Sequence, residues 1–367
     1  MLTRLYIDNF RCFVNFEFKP GRRQLLLGSN GSGKSSFMDA LLGLRRLITR
    51  GESTCLADLL EQRTRWTNRG RQSWELEASL DGQTYCYSLI LDLAGSPLTP
   101  RVSSEIVKLN GKSIFEFIDG DVHLFNDLCE FTLSYPFDAQ RPALATIVPR
   151  NDNRQLTRFQ HWVASLLGFR INPFAMTSEA GEENSDPKQD FSNIASWYRR
   201  LIQEDRRQDQ AMLQSLRSAL DGFEQLSFDP AGKAKLMKAD FIDSAGRRLS
   251  FDLEELSDGQ RCVICLYAVL HFILAKGGTV ILDEPDNFVA LREIQPWLVT
   301  ATSLIEGGIG QLLLISHHPE ILNQWAPEYG VRFIRDGVGP VRVQDFHVDP
   351  ESPITPAEVV ARGWENE

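Results

Sequence analysis

One eight-residue stretch limits what this chain can become: Gly28-Ser-Asn-Gly-Ser-Gly-Lys-Ser35, a glycine, four residues, and then Gly-Lys-Ser. That spacing is a phosphate-binding loop, or P-loop, and it requires a buried strand before it and a helix after it. Gln24-Leu-Leu-Leu27 reads as the strand, and Ser36-Phe-Met-Asp-Ala-Leu-Leu-Gly-Leu44 as the helix. Gly28, Gly31 and Gly33 let backbone N–H groups curl around a phosphate at a helix N-terminus whose dipole favours anions. Asn30, Gly31, Ser32, Gly33, Lys34, Ser35 and Ser36 are therefore the candidate nucleotide contacts. Lys34 would reach the β- and γ-phosphates as a point charge. The Ser35 hydroxyl would complete a magnesium shell with phosphate oxygens.

The chain's 367 residues can bury a sizeable core in one large domain or two intimate lobes. A net charge of −10 excludes a chain that is basic overall, so any nucleic-acid binding needs a local patch. Cysteines at 12, 55, 86, 129, 262 and 265 match neither a secreted disulfide framework nor paired zinc ligands, which fits a reducing cytoplasm. Cys262 and Cys265 fall in an apolar helical run and read as buried helix cysteines. The first residues lack a signal-peptide layout, and the longest apolar run, Cys262 to Ala275, is too short to span a bilayer. No membrane segment is expected.

Along the chain, Leu2 to Ile7 and Phe13 to Phe18 alternate as strands do, with Pro20-Gly21 closing a hairpin. Arg45 to Arg71 follows the P-loop helix, and its seven arginines face only Glu52, Asp58 and Glu61, a net charge of +4. Trp66 among them could stack on a base. The segment suits DNA, an acidic protein partner or plain solvation. Trp74 to Leu80, Tyr85 to Leu91 and Glu105 to Leu109, with turns at Asp81-Gly82, Asn110-Gly111 and Asp119-Gly120, predict an antiparallel meander. The pattern is helical from Ala143 to Leu167, and Ser192 to Leu220 predicts one long amphipathic helix. An acidic loop lies between them at 179–188. Strands return at Glu224 to Asp229, Leu236 to Ile242 and Leu249 to Phe251. The expected division is an N-terminal lobe at 1–140, an inserted helical lobe at 141–222 and a C-terminal lobe at 223–367.

Thr279-Val-Ile-Leu-Asp-Glu-Pro285 is an apolar strand ending in two carboxylates, the layout of a Walker B element. Asp283 can hold magnesium through water, and Glu284 can polarise the attacking water as a general base. Leu256-Ser-Asp-Gly-Gln260 resembles the signature motif of ABC-type ATPases, with aspartate where transporters most often carry glycine. Ser257 and Gly259 open a helix there, a second anion-holding helix start. Gln311-Leu-Leu-Leu-Ile-Ser-His317 is similar to the strand that ends in that family's switch histidine. Within the superfamily, Leu5-Tyr-Ile-Asp-Asn-Phe-Arg-Cys-Phe13, Glu284-Pro285 and Ser316-His-His-Pro319 resemble the RecF, SMC and OLD branch, especially its small AAA-type phage-defence members.

The resemblance implies an α/β, ABC-ATPase-like head with a P-loop sheet core, an antiparallel β subdomain and a helical insertion. It implies ATP and Mg2+, with hydrolysis by Glu284 beside the switch histidine His317. It also implies a homodimer, with scope for higher oligomers, in which Ser257, Gly259 and Gln260 of one protomer serve the γ-phosphate held by the other. Asp286 falls where the family's D-loop aspartate does, and Arg11 would approach the adenine. Gln140 is the candidate Q-loop glutamine and would join Ser35 and Asp283 around the metal. The stretch between P-loop and signature is too long for a usual transporter subunit and far too short for an SMC arm, so a stub or short hairpin is expected. The stretch after His317 cannot hold the nuclease domain that OLD proteins carry. Any nuclease is then expected on another chain, as an effector encoded nearby. The function implied is a switch in anti-phage defence or DNA repair; the alternatives are a transporter's ATP-binding subunit and a nucleotide-gated scaffold for a partner nuclease.

Overall fold

The computed structural model describes residues 1–51, 53–94, 99–308, 310–347 and 353–363; Glu52 of the arginine-rich segment lies outside them. Backbone packing divides the chain into two units, one of residues 1–167 and 331–346 and the other of 168–330 and 347–367. Residues 141–167 thus belong to the first and 168–222 to the second.

In the first unit, β1 (Leu2–Asp8) and β2 (Phe16–Phe18) form the hairpin, and β3 (Arg23–Leu27) leads through the P-loop into α1 (Lys34–Arg50). A second helix, α2 (Ser53–Glu61), precedes the meander strands β4 (Arg71–Leu80), β5 (Gln83–Ala94), β6 (Thr99–Leu109), β7 (Lys112–Ile118), β8 (Asp121–Phe125) and β9 (Phe131–Pro136). One eight-stranded sheet results, in the order β2-β1-β4-β5-β6-β7-β8-β9. Its three two-residue turns, Asp81-Gly82, Asn110-Gly111 and Asp119-Gly120, have positive φ at both positions. That mirror-image turn matches the twist of the flanking strands, which is why Asp-Gly and Asn-Gly were legible as hairpins. Phe18, Phe37 and Phe333 pack edge to face at 5.2–5.9 Å between centroids. This aromatic contact ties α1 to β2 and to β17 (Gly330–Arg335), which pairs with β3 on one side and with β18 (Val341–Asp345) on the other.

Helix content in this unit is smaller than periodicity predicts. Of Ala143 to Leu167, only α3 (Arg154–Ala164) is α-helical, preceded by a single 3-10 turn at Leu144–Thr146. Pro149 disfavours helical backbone at Val148. The Asn153 side chain then accepts from the Arg150 N–H at 2.7 Å, holding a turn where helix was expected.

The chain crosses into the second unit through β10 (Leu166–Phe169). There β11 (Glu179–Ala180), β12 (Phe223–Ala231), β13 (Ala234–Ile242) and β14 (Arg248–Asp252) form a small antiparallel sheet centred on β13. The long helix expected from Ser192 to Leu220 is two helices, α4 (Ile194–Glu204) and α5 (Arg206–Ala219). Asp205 is the reason: its carboxylate accepts from Gln208 N–H at 3.2 Å and caps α5, a local bond that competes with continued helix. Helix α6 (Asp258–Phe272) is apolar almost all round and buried, Cys262 and Cys265 included. Burial pushes the Cys262 thiol up to about 12 and that of Cys265 well above the ordinary thiol range, so both are inert core side chains. By length and hydropathy the segment Asp258–Lys276 would pass as a membrane span, but 72% of it is buried inside the protein, as in a core helix. Strands β15 (Thr279–Asp283) and β16 (Gln311–Ile315) pair in parallel, Asp283 opposite Ile315, and every residue of both is buried. Helices α7 (Leu291–Gly307) and α8 (Pro319–Tyr329) follow them.

Candidate nucleotide site

The phosphate cradle belongs to the first unit. Gly28 (φ 138°) and Gly33 (φ 104°) are in left-handed backbone, and a Cβ at Gly28 would lie 2.4 Å from the Phe333 carbonyl oxygen. At Gly33 it would lie 2.9 Å from Val341 and 3.1 Å from the Cys12 sulfur. Only glycine lets the loop lie this close to β17 and to the 9–13 turn. Lys34 is buried, its Nζ donating to the carbonyls of Gly28 at 2.5 Å and Ser29 at 3.1 Å. The cation is thereby stored within the loop. Asn30, Gly31 and Ser35 are exposed, Ser36 is half-buried, and Ser32 and Gly33 are buried. Ser32 Oγ is buried with no hydrogen-bond partner among the described residues, an orphan that suits a loop built to receive an oxyanion.

Several residues of this unit have partners that spacing does not reveal. Arg11 donates to Asp39 at 2.5 Å and to Gln62 at 2.7 Å, so its guanidinium braces α1 and the loop after α2. Gln140 lies in an exposed turn after β9, its N–H bonded to Asp138. Within the arginine-rich segment, Arg69 pairs with Asp8, Arg71 pairs with both oxygens of Asp92, and Arg45 donates to the Ala164 carbonyl. The positive face of that segment is smaller than its sequence suggests.

The acid–base candidates belong to the second unit. Asp283 is buried at the tip of β15 and accepts from Arg170 Nε at 2.7 Å. Arg170 directly follows β10 and is a partner of the candidate site that sequence reasoning missed, since 113 positions separate it from Asp283. Glu284 is exposed in left-handed backbone (φ 51°), its N–H bonded to the Ile315 carbonyl at 2.8 Å and its carboxylate to Asn287 at 3.0 Å. Such a conformation costs a non-glycine residue about 1–3 kcal/mol, and it clusters at functional sites. His317 is exposed just past β16, whereas His318 caps α8, its Nδ1 accepting from Glu320 N–H at 3.2 Å. Burial pushes the carboxyl of Asp286 up, with the Ser316 hydroxyl acting the other way.

At the start of α6, Ser257 and Gln260 form a reciprocal capping box: Ser257 Oγ accepts from Gln260 N–H at 3.2 Å and Gln260 Oε1 accepts from Ser257 N–H at 3.0 Å. Asp258 pairs with Arg261 at 2.5 Å, and Arg261 also donates to the Pro173 carbonyl. A Cβ at Gly259 would meet the Phe288 carbonyl at 2.7 Å, so this glycine lets the helix start lie against the chain after Walker B. No group of three or more His, Cys, Asp or Glu side chains able to hold a metal occurs among the described residues. Magnesium would therefore rely on few protein oxygens, with water and phosphate filling its shell, a donor set this hard cation favours.

A family model described as "AAA domain, putative AbiEii toxin, Type IV TA system" matches residues 25–323. The chain belongs to this family. The match starts inside β3 and ends inside α8, so it takes in the P-loop, the signature-like helix start, Walker B and His317. Solved structures agree on the fold of this AAA-family chain. The SMC head domain from Thermotoga maritima is similar with a TM-score of 0.50 at 13% identity, covering 95% of this chain and 99% of its own. An SMC head bound to the C-winged helix domain of ScpA is similar with a TM-score of 0.56 at 12% identity, covering 94% and 98%. None of the curated proteins compared matches significantly. The protein is thus a P-loop chain of the AAA family, and its fold is that of an SMC head.

Proposed function

We propose that this chain binds and hydrolyses ATP with magnesium, and that the nucleotide switches it between separate and dimeric heads. The observation that carries the reading is the loop at 28–35, where Lys34 is held against loop carbonyls and the buried Ser32 hydroxyl has no partner among the described residues. ATP would exchange those carbonyls for phosphate oxygens at Lys34, a gain because charge-assisted bonds to phosphate are the stronger ones. The residues from Asn30 to Ser36 would hold the phosphates, with Ser35 and Asp283 holding magnesium and Gln140 retained as a candidate for its shell. Magnesium, when bound, would neutralise the developing phosphate charge. Glu284 would take a proton from the attacking water, and His317 would sense the γ-phosphate. The helix start at Ser257, Gly259 and Gln260 is the candidate contact for the γ-phosphate of a second protomer.

Two findings support an effector downstream of the switch. The family description names a toxin of a type IV toxin–antitoxin system, and one of the similar SMC heads is bound to a winged-helix domain of another protein. Our reading of the switch is one in anti-phage defence or DNA repair, as its motif resemblance implies, with DNA as a candidate ligand of Arg63 and Arg65. Sedimentation of Glu284→Gln with and without ATP tests the switch. Dimer should appear only with ATP, and Ser257→Arg should abolish it. An oligomer unchanged by ATP, or untouched by Ser257→Arg, would contradict the reading.

A further inference from the structure

Trp66 is 44% exposed, an unusual state for the largest side chain, and its surroundings are fixed. The loop that carries it is tied to the 9–13 turn: Arg11 N–H donates to the Gln62 carbonyl at 2.7 Å, Asn9 Nδ2 to the carbonyls of Arg69 at 2.9 Å and Arg71 at 2.7 Å, and Thr67 Oγ1 to Asn9 Oδ1 at 2.9 Å. That same turn supplies Cys12 and Phe13, which lie under Gly33 of the P-loop. Over the Trp66 ring lies the guanidinium of Arg335, 5.4 Å from the centroid. Arg335 donates to the carbonyls of Gly339 at 2.8 Å, Val338 at 3.2 Å and, in the P-loop itself, Gly31 at 3.3 Å. Backbone carbonyls therefore hold this cation in place, and one of its contacts is Gly31, inside the phosphate-binding loop.

We propose that Trp66 and Arg335 form the base-binding wall of the nucleotide site. This rests on the P-loop reading and extends it from the phosphates to the other end of the ligand. A nucleoside triphosphate held by its phosphates must place its base beside the loop, and a flat indole joined to a planar guanidinium is a surface on which a base stacks. Stacking uses the π-face that every base has, so the wall adds affinity without reading base edges. It also gives Trp66 a role inside the ATP site, in place of one on DNA.

Comparing ATP with inorganic tripolyphosphate, which has the phosphates and no base, isolates the wall. Binding of both should be measured by calorimetry to the full chain and to Trp66→Ala, Trp66→Phe and Arg335→Gln. Trp66→Ala should weaken ATP about thirtyfold, the middle of the range expected for one stacked base, while tripolyphosphate changes less than twofold. Trp66→Phe should recover most of the loss, and Arg335→Gln should lower ATP affinity in the same direction. Equal ATP affinity in wild type and Trp66→Ala would overturn the wall and leave the P-loop reading standing. Failure of wild type to bind either ligand, with Lys34→Ala indistinguishable from it, would overturn both. An equal loss for ATP and tripolyphosphate would make Trp66 a support of the loop and overturn the wall alone.

Discussion

The two units hold their candidate functional groups by different means. In the first, the phosphate cradle is a matter of backbone: left-handed glycines, a carbonyl of β17 within a Cβ's reach of Gly28, and a lysine stored on loop carbonyls. In the second, the groups are held by side-chain pairs that can be exchanged, namely Arg170 with Asp283, Asn287 with Glu284 and Ser257 with Gln260. A cradle for phosphates that stay the same through a cycle gains from rigidity. Groups that answer to the γ-phosphate need alternative partners close in free energy.

The largest expected effect falls on the rigid side. Lys34→Ala removes two charge-assisted bonds to phosphate, each about 1.5–3 kcal/mol, and should raise the ATP dissociation constant by about a hundredfold or more in calorimetry. A loss under fivefold would mean that the loop amides alone hold the phosphates.

Titration separates the units by sign. Glu105 is fully buried, bonded to the N–H groups of Ala143 and Leu144 and to the Tyr87 hydroxyl, and burial raises its pKa to about 6 from the ordinary 4.5. Its folded pKa lies above the unfolded one, so its stabilising contribution is complete below pH 4.5 and is lost as pH rises through 6, about 2 kcal/mol in all. His271, buried beside Ser215 Oγ at 3.0 Å, is lowered to about 4 from 6.5 by burial. Its contribution is complete above pH 6.5 and is lost as pH falls through 4, about 3 kcal/mol. The two slopes partly cancel in wild type. Urea midpoints from pH 4 to 7 should rise with pH in Glu105→Gln and fall with pH in His271→Gln. Parallel curves for all three proteins would remove the contrast.

A smaller effect belongs to the exchangeable pair. If Arg170 occupies the carboxylate that magnesium needs, Arg170→Ala should lower by about tenfold the magnesium concentration that supports half-maximal ATP binding, one charged contact's worth. It should also lower the melting temperature without nucleotide, with recovery on adding Mg2+ and ATP. An unchanged magnesium requirement would make the pair structural only. The smallest effect is on the arginine-rich loop: Arg63→Ala or Arg65→Ala should flatten the salt dependence of any duplex-DNA binding by about one unit. Arg69→Ala should do less because Asp8 already neutralises that charge.

What the sequence made legible was local. The P-loop, the Asp-Gly and Asn-Gly turns, the Walker B strand and the helix start at Ser257 each lie within a few residues, where spacing determines geometry. Asp205 was illegible as a helix break because an aspartate inside an amphipathic run looks like helix surface until its side chain is seen capping the next turn. The pairs Arg170 with Asp283, Glu105 with Ala143 and Arg335 with Trp66 were illegible for another reason: they join positions 38 to 269 residues apart, and no local period encodes which strand end meets which. That His318 caps α8 while His317 stays exposed is likewise visible only in the structure.

Phosphate release by wild type and Glu284→Gln, with ATP binding measured in parallel, tests the central claim most directly. The account predicts magnesium-dependent turnover in wild type and a loss of about a hundredfold or more in Glu284→Gln, the size of a lost general base, with ATP affinity unchanged. Near-normal turnover in Glu284→Gln, or no hydrolysis by wild type that binds ATP and magnesium, would contradict it.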